Sequence, residues 1–128
     1  MILLLDTCTF LWMDVDAPEL SSRAREIFRD PRNELFLSAA SVWEIALKYG
    51  LKRLQLPEPP ERYIPSTREK YGIHFFPIDE ISALGISRLP GLHKDPFDRM
   101  IVSQAVAHGL TVLTPDEWIR SYAVRTEW

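Results

Sequence analysis

The run Ile2-Leu3-Leu4-Leu5, stopped by Asp6-Thr7, leaves no polar face, so it predicts a strand buried on both sides, as in parallel sheets. A short helix fits Thr9 to Met13, a loop Asp14 to Pro18, and a helix Ser21 to Asp30 that Pro31 stops. Leu35-Phe36-Leu37 reads as a second strand, with Ser38 placed to cap a helix from Ala39 to Tyr49 and Gly50 in the closing position that glycine favours. Three prolines within Leu56–Pro60 mark a loop, and Pro65 interrupts any helix across Glu61 to Tyr71. His74 to Pro77 suits a third strand and Asp79 a cap for a short helix over Glu80 to Arg88. Asp95-Pro96 opens the clearest helix, with Asp95 as N-cap, Pro96 at the first helical position and Gly109 at the end. Thr111-Val112-Leu113 is a fourth strand, Asp116 to Arg120 a helical turn, and Tyr122 to Arg125 an edge strand. Strands alternating with helices imply an α/β domain with helices on both faces of a mostly parallel sheet. Ligands of such sheets bind beyond the carboxyl ends of the strands, where the strand order switches.

Composition narrows this picture. The 128 residues suit a single domain over 1–128, with a radius of gyration of roughly 14 Å. The lone Cys8 has no internal partner, and with no leader-like segment the expectation is a reducing, cytoplasmic setting and no membrane span. Fifteen basic against eighteen acidic side chains give a formal charge of -3, which argues against bulk cationic grip on nucleic acid but not against a nucleic-acid enzyme with an acidic centre.

Four acids invite attention. Asp6 and Asp116 both follow apolar strand-like runs, which puts them on the ligand side of the sheet or makes them solvated turn residues. Glu44 shares a helix stripe with Ser41 and Lys48, so it is either a site residue or half of an exposed i,i+4 ion pair. Asp98 leads the stripe Ile101, Val102, Ala105, Gly109, which must face the core; it either enters a partly desolvated site or bonds amides in the first helical turn. Two carboxylates about 4 Å apart repel by roughly 4 kcal/mol at an effective dielectric of about 20, so gathering these acids requires a cation. Oxygen-only ligands select a hard one, Mg²⁺ or Mn²⁺.

The blocks Leu4-Leu5-Asp6-Thr7, Ser41-Val42-Trp43-Glu44-Ile45-Ala46 with Lys48, His93-Lys94-Asp95-Pro96-Phe97-Asp98-Arg99-Met100-Ile101 with Gln104-Ala105, and Leu113-Thr114-Pro115-Asp116 resemble the PIN domain. Within it they resemble the VapC-type ribonuclease toxins of type II toxin–antitoxin systems. The resemblance implies a three-layer α/β/α fold of strand order 3-2-1-4-5, and Asp6, Glu44, Asp98 and Asp116 as catalytic, metal-binding acids. Thr7, Thr114, Asp95, Arg99 and Lys48 match positions that support the acids or meet substrate. It further implies Mg²⁺ (or Mn²⁺), an RNA substrate, a homodimer, and an antitoxin partner through which alone operator DNA would be reached. Cys8 departs from the family's usual residue beside the first acid.

The chemistry so implied is metal-assisted hydrolysis of an RNA phosphodiester, leaving 3′-hydroxyl and 5′-phosphate ends. Attack by the 2′-hydroxyl would need a histidine pair, and the spacing of His74, His93 and His108 provides none. Lys48, Lys52, Arg53, Lys94 and Arg99 are candidate phosphate contacts, each with an ordinary surface alternative. A phospho-accepting receiver-like module shares the length and the first acid but has no evident acceptor after the third strand. A phosphatase using Asp6 as nucleophile lacks the partner acid two residues on, where Cys8 stands.

Overall fold

The structure, a computed structural model, describes residues 1–128. In chain order the elements are β1 (Ile2–Leu5), α1 (Thr7–Asp14), α2 (Ser22–Arg29), β2 (Glu34–Ser38), α3 (Ala39–Gly50), α4 (Pro60–Tyr71), β3 (His74–Phe76), α5 (Glu80–Gly85) running into a 3₁₀ turn at Ile86–Arg88, α6 (Pro96–His108), β4 (Thr111–Leu113), α7 (Glu117–Arg120) and β5 (Thr126–Glu127). They form one sheet of order β3-β2-β1-β4-β5 in which every neighbouring pair is parallel.

Alternation along β1 divides the core. Leu3 and Leu5 join Leu35, Leu37 and Leu113 under α1, α2 and α4, through Phe10, Ile27 and Ile64. Leu4 faces the other way and packs with Val112 against Ile101, Val102 and Ala105 of α6 and Ile119 of α7. Both faces are covered, which is why β1 contains no polar residue. No helix is long and apolar enough to cross a membrane.

Caps set most helix boundaries. Ser21 accepts from Ala24 N, Ser38 from Ala40 N, Asp79 from Ser82 N, and Asp95 from the amides of Phe97 and Asp98. Gly109 closes α6 at φ 67, where a side chain would be strained.

Three local expectations are corrected. Gly50 is the last residue of α3 rather than a left-handed cap; the positive φ falls on Lys52, at 59. Pro65 does not interrupt α4, which runs unbroken because the buried face of Tyr63, Ile64 and Thr67 holds it to the core and Gly72 closes it at φ 65. The edge strand is Thr126–Glu127, not Tyr122–Arg125, because Tyr122 turns into the core and β5 pairs with Val112 and Leu113 only after that turn.

Candidate active site

The chain leaves β1 for β2 and β3 on one side and β4 and β5 on the other, so the order switches between β1 and β4. Asp6 and Asp116 follow these two strands, at the crevice where such sheets place ligands.

Asp6 is built in tightly. Its Oδ1 accepts from Thr7 N at 2.7 Å and caps α1; its Oδ2 accepts from Thr114 Oγ1 at 2.8 Å and from Cys8 Sγ at 3.3 Å. Burial nevertheless raises its pKa against the pull of those donors. The thiol of Cys8, buried against Asp6, is pushed above the ordinary thiol range and stays protonated. Thr114 Oγ1 also accepts from Asp116 N at 3.0 Å, so one hydroxyl links the acids after β1 and β4. Asp116 in turn caps α7 through the amides of Trp118 and Ile119.

Two contacts bring the helices to this pair. Thr7 Oγ1 donates to the buried Ser41 Oγ at 2.8 Å, one turn before Glu44 on α3. Ser38 donates to Gln104 Oε1 at 2.5 Å, and Gln104 Nε2 to Pro77 O at 3.1 Å, which locks α6 against the start of α3.

Glu44 is buried at 6% exposure. Its Oε2 pairs with Lys48 Nζ, whereas Oε1 is buried and has no hydrogen-bond partner. The i,i+4 pair expected from the spacing exists, but its acidic end lies inside the molecule. Asp98, in the first turn of α6, has its pKa pushed up to about 8, first by desolvation and then by the charges of Asp6, Asp95, Asp116 and Glu44. Its Oδ2 lies 3.3 Å from His93 Nε2.

These groups share a cleft of about 360 Å³ lined by Asp6, Glu44, Asp95, Asp98 and Asp116, with Thr7, Cys8, Lys48 and Arg53. A larger hollow of about 530 Å³, around Met1, Arg23, Asp30, Arg32 and Asn33, lies at the opposite ends of the strands. Arg32 there pairs with Asp30 through Nε and Nη2 and stands largely in solvent.

All four acids singled out in the sequence therefore reach one cleft, and Asp95 joins them while also capping α6. Thr114 holds the Asp6 carboxylate, whereas the Thr7 hydroxyl bonds Ser41 rather than an acid. Arg99 does not reach the cleft: its Nη1 donates to Pro90 O at 2.8 Å and Tyr122 OH at 3.0 Å, and Nη2 to Ile86 O at 3.3 Å, which staples the loop before α6. Lys52 lies beyond the cleft beside Tyr49 and Leu54, whereas Arg53 lines it. Sequence reasoning missed the chain from Tyr122 OH to His93 Nδ1, 2.7 Å, and on to Asp98; Tyr122 lies 24 positions after Asp98 and carries no local pattern.

The PIN domain profile matches residues 3–124, which includes every residue of this cleft. The chain belongs to the PIN domain family. Ribonuclease VapC16 of Mycobacterium tuberculosis is 40% identical over 63 residues, 49% of this chain and 45% of that protein, so the chain spans less than half of that relative's length. Ribonuclease VapC22 of the same organism is 29% identical over 121 residues, 93% of this chain and 90% of that protein. The crystal structure of VapBC2 from Rickettsia felis bound to a promoter DNA fragment superposes with a TM-score of 0.72 at 15% identity, covering 99% of this chain and 98% of that one. That likeness is one of fold, and it agrees with the strand order 3-2-1-4-5. PIN membership displaces the receiver-like and phosphatase alternatives.

The donor set of this PIN cleft fits a hard divalent ion: several carboxylates, a buried oxygen without a partner at Glu44, and only two flanking cations. As the side chains stand, with Lys48 bound to Glu44, no three potential ligands are gathered closely enough to hold one ion.

Proposed function

We propose that residues 1–128 act as one PIN unit, a divalent-metal-dependent endoribonuclease that serves as the toxin of a toxin–antitoxin pair in the cytoplasm. The observation that carries this reading is the convergence of Asp6, Glu44, Asp98 and Asp116, from four separated stretches of chain, on one cleft whose negative charge is incompletely offset. The VapC names of the relatives support the ribonuclease reading, and the VapBC complex among the fold neighbours supports an antitoxin as partner. A homodimer, and contact with operator DNA only through the antitoxin, belong to the same reading.

Within it, Asp6 is the fixed ligand, because Thr7, Thr114 and Cys8 leave its carboxylate little freedom. Glu44 Oε1, Asp98 and Asp116 complete the metal-binding set. A bound Mg²⁺ or Mn²⁺ supplies the charge that offsets the acids and lowers the pKa of a water for attack on phosphorus. Lys48, released from Glu44, and Arg53 meet the phosphate that enters. His93, held by Tyr122, orients Asp98 from behind.

The test is cleavage of structured RNAs by purified protein in Mg²⁺, Mn²⁺ or EDTA, comparing wild type with Asp6→Asn and Asp98→Asn. The expected result is cleavage by the wild type only with a divalent ion, leaving 5′-phosphate ends, and a fall of at least about 100-fold in either variant, the scale on which removal of a charge-stabilising group acts. Equal activity in all three proteins, or undiminished activity in EDTA, would overturn the reading.

A further inference from the structure

We propose that the indole of Trp118 is a stacking platform for an unpaired RNA base beside the cleft. The inference rests on the nuclease reading above and narrows its substrate to single-stranded or loop RNA. Trp118 is 54% exposed although it is among the largest apolar side chains of the protein. It is not loose: its ring lies parallel to the imidazole of His93, with centroids 5.7 Å apart and planes 6° apart.

That imidazole is itself held, by Tyr122 OH at 2.7 Å on Nδ1 and by Asp98 Oδ2 at 3.3 Å on Nε2, and Arg99 donates to the same tyrosine at 3.0 Å. Trp118 N also donates to Asp116 Oδ1 at 2.8 Å. The platform is thus tied to two cleft carboxylates, and a base stacking on it pays little to order it.

Charge gives such a platform a purpose. Five carboxylates against Lys48 and Arg53 make the cleft a poor ionic grip on phosphate, and the whole chain carries -3. Affinity for RNA must then draw on base faces, which contribute about 5- to 150-fold per stacked base. Bases inside an A-form duplex are not available to an indole, whereas unpaired bases are. Trp43 is the internal comparison: it is equally exposed, at 55%, but it meets Phe97 edge-on at 75° and makes no contact with a histidine held by the site.

The test measures initial rates on a single-stranded oligoribonucleotide in Mg²⁺ and, separately, quenching of tryptophan emission by the same oligonucleotide in EDTA. Wild type, Trp118→Ala, Trp118→Phe and Trp43→Phe are compared. The expected result for Trp118→Ala is a KM about tenfold higher, with the loss in kcat/KM carried by KM, and most of the quenching gone. Trp118→Phe should restore KM to within about threefold, Trp43→Phe should match wild type, and a duplex of the same sequence should quench none of them. Wild-type KM and quenching in Trp118→Ala, while cleavage persists, would overturn the platform and leave the nuclease reading standing. Quenching by duplex equal to that by single strands would do the same, as would a changed solution mass for Trp118→Ala at unchanged KM, which would mark a protein contact. A wild type that neither binds nor cuts RNA with any divalent ion would overturn both.

Discussion

The two sides of the cleft treat the same functional group in opposite ways. On the β1 side, Asp6 accepts three hydrogen bonds and forms the cap of α1. On the helix side, Glu44 has one oxygen with no partner and Asp98 has only the distant His93, with a pKa pushed up to about 8. One acid is part of the scaffold; the other two have fewer partners, Glu44 only Lys48 and Asp98 only His93. Burial raises the pKa of both Asp6 and Asp98, but three donors anchor Asp6 in the scaffold while the helix-side acids have fewer partners, so substitutions on the two sides should separate stability from activity.

The largest effect expected is on cleavage, where both sides should fail alike while stability splits. Asp6→Asn and Asp98→Asn should each lose at least about 100-fold in rate. Truncation distinguishes them: Asp6→Ala should cost about 1–2 kcal/mol in urea unfolding, through the lost cap and the orphaned Thr114 hydroxyl. Asp98→Ala in EDTA at pH 8 should be no less stable than wild type. A loss at Asp98 as large as that at Asp6 would break the contrast.

pH sharpens it next. The Asp98 carboxyl binds its proton more tightly in the folded chain, at about 8, than in the unfolded one, at about 4. Stability from this group is therefore fully present below about pH 4 and is lost as pH rises to about 8. In EDTA, Asp98→Asn should melt on the order of 5 °C above wild type at pH 9 and show no such advantage at pH 4. Saturating Mg²⁺ at pH 9 should close the gap by stabilising the wild type alone. Melting curves of the two proteins that run parallel from pH 4 to 9 would show that Asp98 is not held unfavourably charged.

Much of this was legible in the sequence, and the reason is local. The unbroken apolar run of β1 and the Asp95-Pro96 opening of α6 are signals contained within a few residues, and Asp6 and Asp98 sit at their ends. Tertiary packing overrode local signals elsewhere: Pro65 stands inside an intact α4, and Tyr122 left the strand its neighbours suggested because its hydroxyl and ring are used in the core. The site showed the same division. Glu44 as an ion pair was readable at i,i+4 spacing, but that its other oxygen is buried alone shows only in the folded chain, where Ser41 meets Thr7 across 34 positions. The role of His93 carried no local signal, since its partners Tyr122 and Trp118 lie far along the chain.

A smaller effect is expected at the hydroxyl that couples the two strand-end acids. Thr114→Val keeps the shape of a fully buried residue but removes a donor to Asp6 and an acceptor for Asp116 N. Unfolding should cost about 1–2 kcal/mol less than in wild type, and cleavage should fall about tenfold as Asp6 gains freedom. Thr114→Ser should recover most of both. Rates unchanged in Thr114→Val would mean that Asp6 needs no such anchor.

The smallest effect, and the one that bears most directly on the unsatisfied side, lies at Lys48. Its ammonium, whose pKa is raised chiefly by its hydrogen bond to Glu44, stands at Glu44 Oε2 where a cation would compete with it. Lys48 is 46% exposed and Glu44 8% at their side chains, so the pair joins a solvated end to a buried one. Removing the lysine as Lys48→Met should cost the metal-free protein only ~1 kcal/mol or less, because much of the ammonium is already in water. It should also deepen the need of Glu44 for a positive neighbour. Titration calorimetry should then show Mg²⁺ binding about three- to fivefold more tightly in Lys48→Met, a difference of ~1 kcal/mol or less, while Lys48→Arg behaves as wild type. Weaker Mg²⁺ binding in Lys48→Met would mean that the lysine helps assemble the acids instead of holding the place of the ion.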